Sequence, residues 1–369
     1  MDAERLSFVA LHFVPGLGDQ LIKQLISYCG SATEVFKKPR GKLLKIPGIG
    51  EITANAIIQA DTLKRAEEEL KKAEKNEVQI LFFTDKHYPA RLKAIDDAPA
   101  MLYVSGQTDF NRAKMIGIVG TRQATAYGKE NVERIVEDLM PHQATIVSGL
   151  AYGIDIHAHK QAIKQNLPTI GVMGSGIDFI YPAAHKEVAK KMMNNGAIIT
   201  ENHFGTKPDA HNFPARNRII AGLCDALIVV EAAEKGGALI TADIANSYNK
   251  DVFALPGNVG QSFSKGCNKL IKENKAILFE SVKDLEYAMG WNVSESTSSS
   301  YVAYSLHDFN EEEQQVIKMM QTKETPMMID ELAWKTGLPQ GQLASLLLTL
   351  EMKNAVQALP GKQFKLSLK

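Results

Sequence analysis

The middle of the chain repeats one pattern: a short apolar run, a glycine-rich turn, then a segment with helical period. The runs are Ile116–Val119, Thr145–Val147, Thr169–Met173, Ala197–Thr200, Ala226–Val230 and Val252–Leu255. Helices are expected from about Tyr127 to Leu139, through Ala158 and Ile163, around Val188 to Met193, and from Ala238 to Ser247. Apolar strands of about 4–6 residues alternating with helices form a parallel sheet covered on both faces. Its connections should be right-handed crossovers, and ligands of such a sheet bind outside the carboxyl ends of the strands. The loops that follow the strands are therefore where function should be sought.

The flanks read differently. Residues 1–76 are expected to be a helical domain of the helix-hairpin-helix or SAM-like kind. Val14-Pro15-Gly16-Leu17-Gly18 and Ile46-Pro47-Gly48-Ile49-Gly50 each precede an apolar helix, and their glycines permit a tight turn. The N–H groups of such a turn can face a DNA phosphate. Packing or protein binding is the competing reading, because only Lys23 follows the first hairpin closely and no basic residue follows the second before Lys64. The charged helix Leu63 to Lys75 reads as a solvated connector to the middle domain, 77–291. A Ser-rich stretch, Ser294 to Ser300, marks a linker over 292–307. Residues 308–369 show helices at Glu311–Gln321, Ile329–Lys335 and Pro339–Lys353 and a two-stranded wing, a winged-helix pattern. Lys353 is the only basic residue of its third helix, which favours protein docking or a structural role over DNA reading.

Whole-chain properties narrow the classes. The 369 residues suit two or three domains. No apolar run is long enough to span a membrane and no secretory leader is apparent. Cys29, Cys224 and Cys267 are far apart, without metal-ligand spacing, which suits a reducing cytoplasm. With 42 basic and 42 acidic residues the formal charge is zero, which argues against coating nucleic acid through bulk charge. A focused basic pocket stays open, since local potential matters more than the total.

The strand-end loops carry that focus. Gly120-Thr121-Arg122 ends the first run. Ser148-Gly149-Leu150-Ala151-Tyr152-Gly153-Ile154-Asp155 ends the second, with His157 and His159 just beyond. Gly174-Ser175-Gly176-Ile177-Asp178 and Tyr181-Pro182 end the third. The fourth leads to Asn212-Phe213-Pro214-Ala215-Arg216-Asn217-Arg218, the fifth to Lys235-Gly236-Gly237-Ala238, and the sixth to Pro256-Gly257-Asn258. Small residues let backbone amides approach an anion at helix N-termini. Arg122 and Arg216 add planar forks for phosphate oxygens, Thr121 and Ser148 add hydroxyl donors, and Phe213 adds a face for a base. Phe213 and Arg216 are the expected direct contacts, while Arg218 should turn toward the sheet or a second subunit. Asp155 and His157 read as braces slightly more than as ligand contacts, and Asp178 reads as a turn residue. Glu231 is either a site residue or a carboxylate partner for an arginine. The glycines match neither the dinucleotide fingerprint nor the P-loop. No Ser-His-Asp order or carboxylate pair suggests catalysis.

This ordered series resembles the DprA/Smf family of DNA-processing proteins. The resemblance rests on Gly120–Arg122, Ser148–His159, Tyr181-Pro182, Phe213–Ile220 and Pro256-Gly257, and it covers most of the chain. It implies an extended Rossmann-like domain, doubly wound and mainly parallel, flanked by the helical domain and the winged helix. It also implies a non-enzymatic protein that binds single-stranded DNA, dimerises, and protects and loads incoming strands onto the RecA recombinase during natural transformation. Gly120, Thr121, Arg122, Ser148, Gly149, Asn212, Phe213, Arg216, Asn217 and Lys235 would line the DNA site. No catalytic residue, metal or cofactor is implied, nor any membrane, and the terminal domains could add duplex-DNA contacts. The family often has Ser-Gly-Ser where this chain has Gly236-Gly237-Ala238, and Gly-Thr-Asn where it has Gly266-Cys267-Asn268. A competing reading is a nucleotide-binding or nucleotide-processing protein of the phosphoribohydrolase kind, although the segment Lys235–Thr241 lacks that group's terminal glutamate. A duplex-DNA regulator acting through the winged helix is a third.

Overall fold

The computed structural model describes residues 2–291, 309–321, 326–353, 355–359 and 363–366, and the expected linker lies outside these residues. The chain falls into two compact units, Met1–Asn292 and Val293–Lys369.

The first unit is built on a nine-stranded sheet. Its strands are β1 (Gln79–Phe82), β2 (Met101–Gln107), β3 (Met115–Val119), β4 (Thr145–Ser148), β5 (Thr169–Val172), β6 (Gly196–Thr200), β7 (Ala226–Val229), β8 (Asp251–Ala254) and β9 (Ile277–Leu278). The order is β1-β2-β6-β5-β4-β3-β7-β8-β9. The six runs anticipated from the sequence are β3 to β8, and all pair in parallel. Two strands outside the strand–helix alternation, β1 and β2, extend one edge in antiparallel fashion. The two-residue β9 closes the other edge.

Alternation along each strand divides the side chains between two cores. Met115 and Val119 of β3, Val147 of β4, and Leu227 and Val229 of β7 face one layer of helices. Ile116 and Ile118, Ile146, and Ala226 and Ile228 face the other. These strands are buried on both faces, so they are mainly apolar, with Thr145 and Ser148 at the ends of β4 as polar exceptions. From β3 the chain winds outward through β4, β5 and β6, then returns to the far side of β3 as β7. That reversal leaves a crevice beyond the ends of β3, β4 and β7.

The N-terminal helices share a core with the sheet. Phe8, Leu11, Ile22 and Leu25 belong to one buried cluster with Met101, Tyr103, Leu150 and Ile198. The helix Leu63–Lys75 is not the solvated connector its charge suggests: Ala66, Glu69 and Ala73 are buried. The Glu69 carboxylate accepts from Tyr103 Oη at 2.9 Å and from the Phe204 N–H at 2.7 Å. The alanines of this helix join the same apolar cluster as Phe8 and Leu11, so the narrow apolar face is a buried one.

The second unit has helices Glu311–Gln321, Ile329–Thr336 and Gln340–Met352 around a core that includes Val316, Leu332, Leu343 and Leu347. Strands β10 (Met327–Met328), β11 (Val356–Leu359) and β12 (Gln363–Leu366) make a three-stranded antiparallel sheet. The expected wing thus gains one short strand. Among the described residues, no helix is long and apolar enough to cross a membrane.

One bidentate ion pair fastens the entry to the sheet. Arg91 donates through Nε to Asp225 Oδ1 at 2.6 Å and through Nη2 to Oδ2 at 2.8 Å. Asp225 Oδ2 also accepts the Met115 N–H at 2.8 Å, where β3 begins beside β7. Asp225→Ala leaves a half-buried guanidinium and a backbone N–H without this partner. It should lower unfolding free energy by about 2–3 kcal/mol, read as a lower urea midpoint by circular dichroism.

Candidate functional site

The crevice holds a cleft of about 680 Å³ lined by residues from five strand-end segments, those after β3, β4, β5, β6 and β7. Each segment is held in place by close backbone packing. After β3 the chain turns through Gly120, where a Cβ would come within 2.5 Å of Ile154 and 3.0 Å of the Glu231 carbonyl. The Thr121 N–H donates to that carbonyl at 2.7 Å. Gly153 has φ +79°, and a Cβ there would overlap the Thr121 carbonyl at 2.1 Å. Glycine is thus required where the β4 loop crosses under the β3 loop.

Arg216 joins these loops from the helix Asn212–Leu223. It is 5% exposed, and its Nη1 donates to the Gly149 carbonyl at 2.6 Å and to the Val172 carbonyl. Its Nε donates to Asn217 Oδ1 at 3.2 Å. Asp155 is buried beside it and accepts the Gly149 N–H at 3.2 Å. Burial pushes the Asp155 carboxyl up, against the pull of Arg216 and of nearby backbone N–H groups. Burial lowers Arg216 to about 10, which keeps it charged at neutral pH, and Asp155 opposes that shift. Arg122 also lowers Arg216, so the two guanidinium groups share one neighbourhood.

Other expected site residues divide between the cleft and its scaffold. Arg122 is exposed, and its guanidinium lies 5.7 Å from the centre of the Phe213 ring. Phe213 is half-buried, and the Tyr181 ring lies 5.8 Å away at 36°. Thr121, Gly120 and exposed Lys235 line the same cleft. Asn217 lines it too, and its Nδ2 reaches the Gly237 carbonyl at 3.4 Å. Asn212 is half-buried at the start of its helix, and a Cβ on Gly174 would meet its carbonyl at 3.2 Å. Ser148 is fully buried, and its hydroxyl donates to the Ile118 carbonyl at 2.6 Å, tying β4 to β3. Gly149 is buried beneath Arg216.

The helix Gly237–Ser247 opens on the cleft, with Gly236, Gly237, Ala238 and Thr241 among the lining residues. No side chain caps its N-terminus among the described residues. Its uncapped N–H groups and positive dipole end favour an anion there. Among the described residues neither Arg122 nor Lys235 has a carboxylate partner, and Asp155, buried near Arg216, is the one acid in the lining. The cleft therefore presents mobile cations, a helix N-terminus and an aromatic face to an anion that carries a ring.

The braces fall where their chemistry suggests. Glu231 accepts from the Thr125 N–H at 3.0 Å and from Thr125 Oγ1 at 2.5 Å, so its partner is a helix cap and no arginine. Asp178 accepts the Gly205 N–H at 3.0 Å, as a turn residue would. His157 reaches Glu133 at 3.1 Å. His159 is fully buried against Thr169, and burial lowers it to about 3, which keeps it neutral. Arg218 turns inward to Glu201, Asp19 and the Asp97 carbonyl. Cys267 is fully buried with its thiol toward the Val229 carbonyl at 3.6 Å, so a hydroxyl there would point into the core.

The terminal elements carry less anion-binding chemistry. Asp19 and Glu51 occupy the first turns of the helices after the two glycine hairpins. A carboxylate at that position competes with a phosphate for the helix N-terminus. Lys353 donates to both oxygens of buried Glu313 at 2.9 Å, so the one basic residue of the third helix is committed inside its own unit.

Comparison with known proteins supplies the family. Residues 79–290 match the family model described as DNA recombination-mediator protein A, and residues 305–362 match that of the DprA winged helix domain. The chain is 31% identical to protein Smf of Synechocystis over 99% of both chains. It is 42% identical to the DNA processing protein DprA of Bacillus subtilis over 54% of this chain and 68% of that one. Among solved structures, DprA of Streptococcus pneumoniae superposes with a TM-score of 0.69 at 33% identity, over 78% of this chain and 98% of that one. DprA of Helicobacter pylori, whose structure is described in terms of its single-stranded DNA binding mode, gives 0.53 at 29% identity over 58% and 95%. The chain belongs to the DNA recombination-mediator protein A family, the DprA/Smf proteins.

Proposed function

We propose that this chain binds single-stranded DNA in the strand-end cleft and acts as a recombination mediator. It protects incoming DNA and delivers it to the RecA recombinase during natural transformation, working in the cytoplasm as a homodimer and without a chemical step of its own. The observation that carries the reading is Arg122 beside the Phe213 ring in a cleft whose one acid, Asp155, is buried. That combination suits a flexible polyanion with exposed bases: cations hold the backbone and an aromatic face holds a base. Family membership supports the mediator role and RecA delivery, and the DNA binding described for the Helicobacter pylori relative supports the choice of ligand.

In this reading the two arginines have different tasks. Arg122 is exposed and meets the phosphate directly. Arg216 has its donors committed to backbone carbonyls, so it shapes the cleft and adds positive potential from below. Net charge is zero, so binding rests on a few local phosphate contacts.

Three outcomes test this, read by fluorescence anisotropy with a labelled oligothymidine and by denaturation. Arg122→Ala should weaken binding about tenfold or more with the fold intact, as loss of a charge-assisted phosphate contact requires. Unchanged affinity would remove the cleft from the account. Lys235→Ala should lessen the slope of log K against log salt by about 0.7, the loss of one phosphate contact on a single strand. Arg216→Ala should act first on stability, by about 2–3 kcal/mol, because it takes a charged donor from the buried Gly149 and Val172 carbonyls.

A further inference from the structure

Tyr181 sits in the cleft wall without an evident structural duty. It is 47% exposed, yet it lines the cleft and its ring lies 5.8 Å from that of Phe213. The loop that carries it is fixed at several points. Ser175 Oγ donates to the Phe179 carbonyl at 2.6 Å, Thr200 Oγ1 donates to the Ser175 carbonyl at 2.8 Å, and the Gly176 N–H donates to the Thr206 carbonyl at 2.8 Å. These bonds hold the loop upstream of the ring without using the ring itself. An aromatic side chain kept half in water on an ordered loop is available to a ligand.

We propose that Tyr181 is a second base-stacking face, so that neighbouring bases of one strand lie on Phe213 and on Tyr181. This rests on the single-strand reading of the cleft and adds a second base to it. The spacing decides how the rings are used. A base sandwiched between two rings needs about 7 Å between them, two contact gaps of roughly 3.5 Å each. The rings are closer than that and tilted by 36°, so no base fits between them and a base would have to lie on the outer side of either ring. Two adjacent faces suit consecutive bases of an unstacked strand, and stacking on them is tolerant of sequence. A mononucleotide has no use for the second ring, so Tyr181 also points to an oligonucleotide as the ligand.

The test is an abasic scan of the full chain by fluorescence anisotropy. A labelled oligothymidine is prepared with one base removed at each position in turn. Tyr181→Leu keeps bulk and removes the aromatic face. It should weaken binding to the complete oligonucleotide by about 5-fold or more, the size of one stacking contact. That penalty should vanish for one abasic position, next to the position at which the penalty of Phe213→Leu vanishes, as coupling in a double-mutant cycle requires. Tyr181→Phe keeps the ring and should restore wild-type affinity, with thermal unfolding confirming that the variants fold. Wild-type affinity in Tyr181→Leu, or a penalty equal on every abasic oligonucleotide, overturns the proposal. Weakened binding in Arg122→Ala alongside either of those results would leave the cleft reading standing. Loss of effect in Arg122→Ala and Phe213→Leu as well would remove both.

Discussion

The site depends on one buried arginine and the backbone it gathers. Arg216 reaches from the helix after β6 to carbonyls at the ends of β4 and β5, while Asp155 faces it from the helix after β4. The buried guanidinium is tolerated because backbone carbonyls and Asn217 accept its hydrogen bonds, with the Asp155 carboxyl nearby adding a favourable field. Arg216 ties the ends of β4 and β5 to its own helix, and this forms the cleft floor. Above that floor, Arg122 and Phe213 keep donors and face free for a ligand. The same helix that buries Arg216 carries Phe213 at the cleft and sends Arg218 to Glu201 and Asp19, so it links the cleft to the N-terminal helices.

Close backbone approach is the second constraint. Gly120, Gly149 and Gly153 stand where the β3 and β4 loops cross, and a side chain at any of them would meet a carbonyl, a carboxylate, an isoleucine or a guanidinium. Glycine richness at these strand ends is therefore a packing requirement as much as a way of exposing amides. The anion-favouring feature that remains open is the uncapped start of the helix Gly237–Ser247, where Gly236, Gly237 and Ala238 keep the approach clear. The absence of serine hydroxyls there leaves the backbone as the donor.

Much of this was legible in the sequence, and the exceptions have physical causes. The six central strands announce themselves because burial on both faces leaves each with an apolar centre, polar residues falling at the strand ends. β1 and β2 lie outside the strand–helix alternation, so pattern alone does not tie them to the sheet. Arg122 and Phe213 fall in the cleft as their residue types suggest. Ser148 and Arg216 show the limit of that reasoning: residue type and loop position do not reveal whether a donor points outward or into the scaffold. The helix Leu63–Lys75 looks solvated by composition, and only the Tyr103 hydroxyl and the Phe204 N–H explain why its Glu69 is buried. Tyr181 belongs to a motif of the sequence, but its place beside Phe213 emerges only when two separate loops meet.

A crystal structure of the full chain with a short oligothymidine would test the central claim most directly. The account expects a phosphate against Arg122 near the start of the helix Gly237–Ser247, a base on the Phe213 ring, and Arg216 still bound to the Gly149 carbonyl. An oligonucleotide seated on the helical hairpins or on the third helix of the winged unit, with the cleft empty, would contradict it.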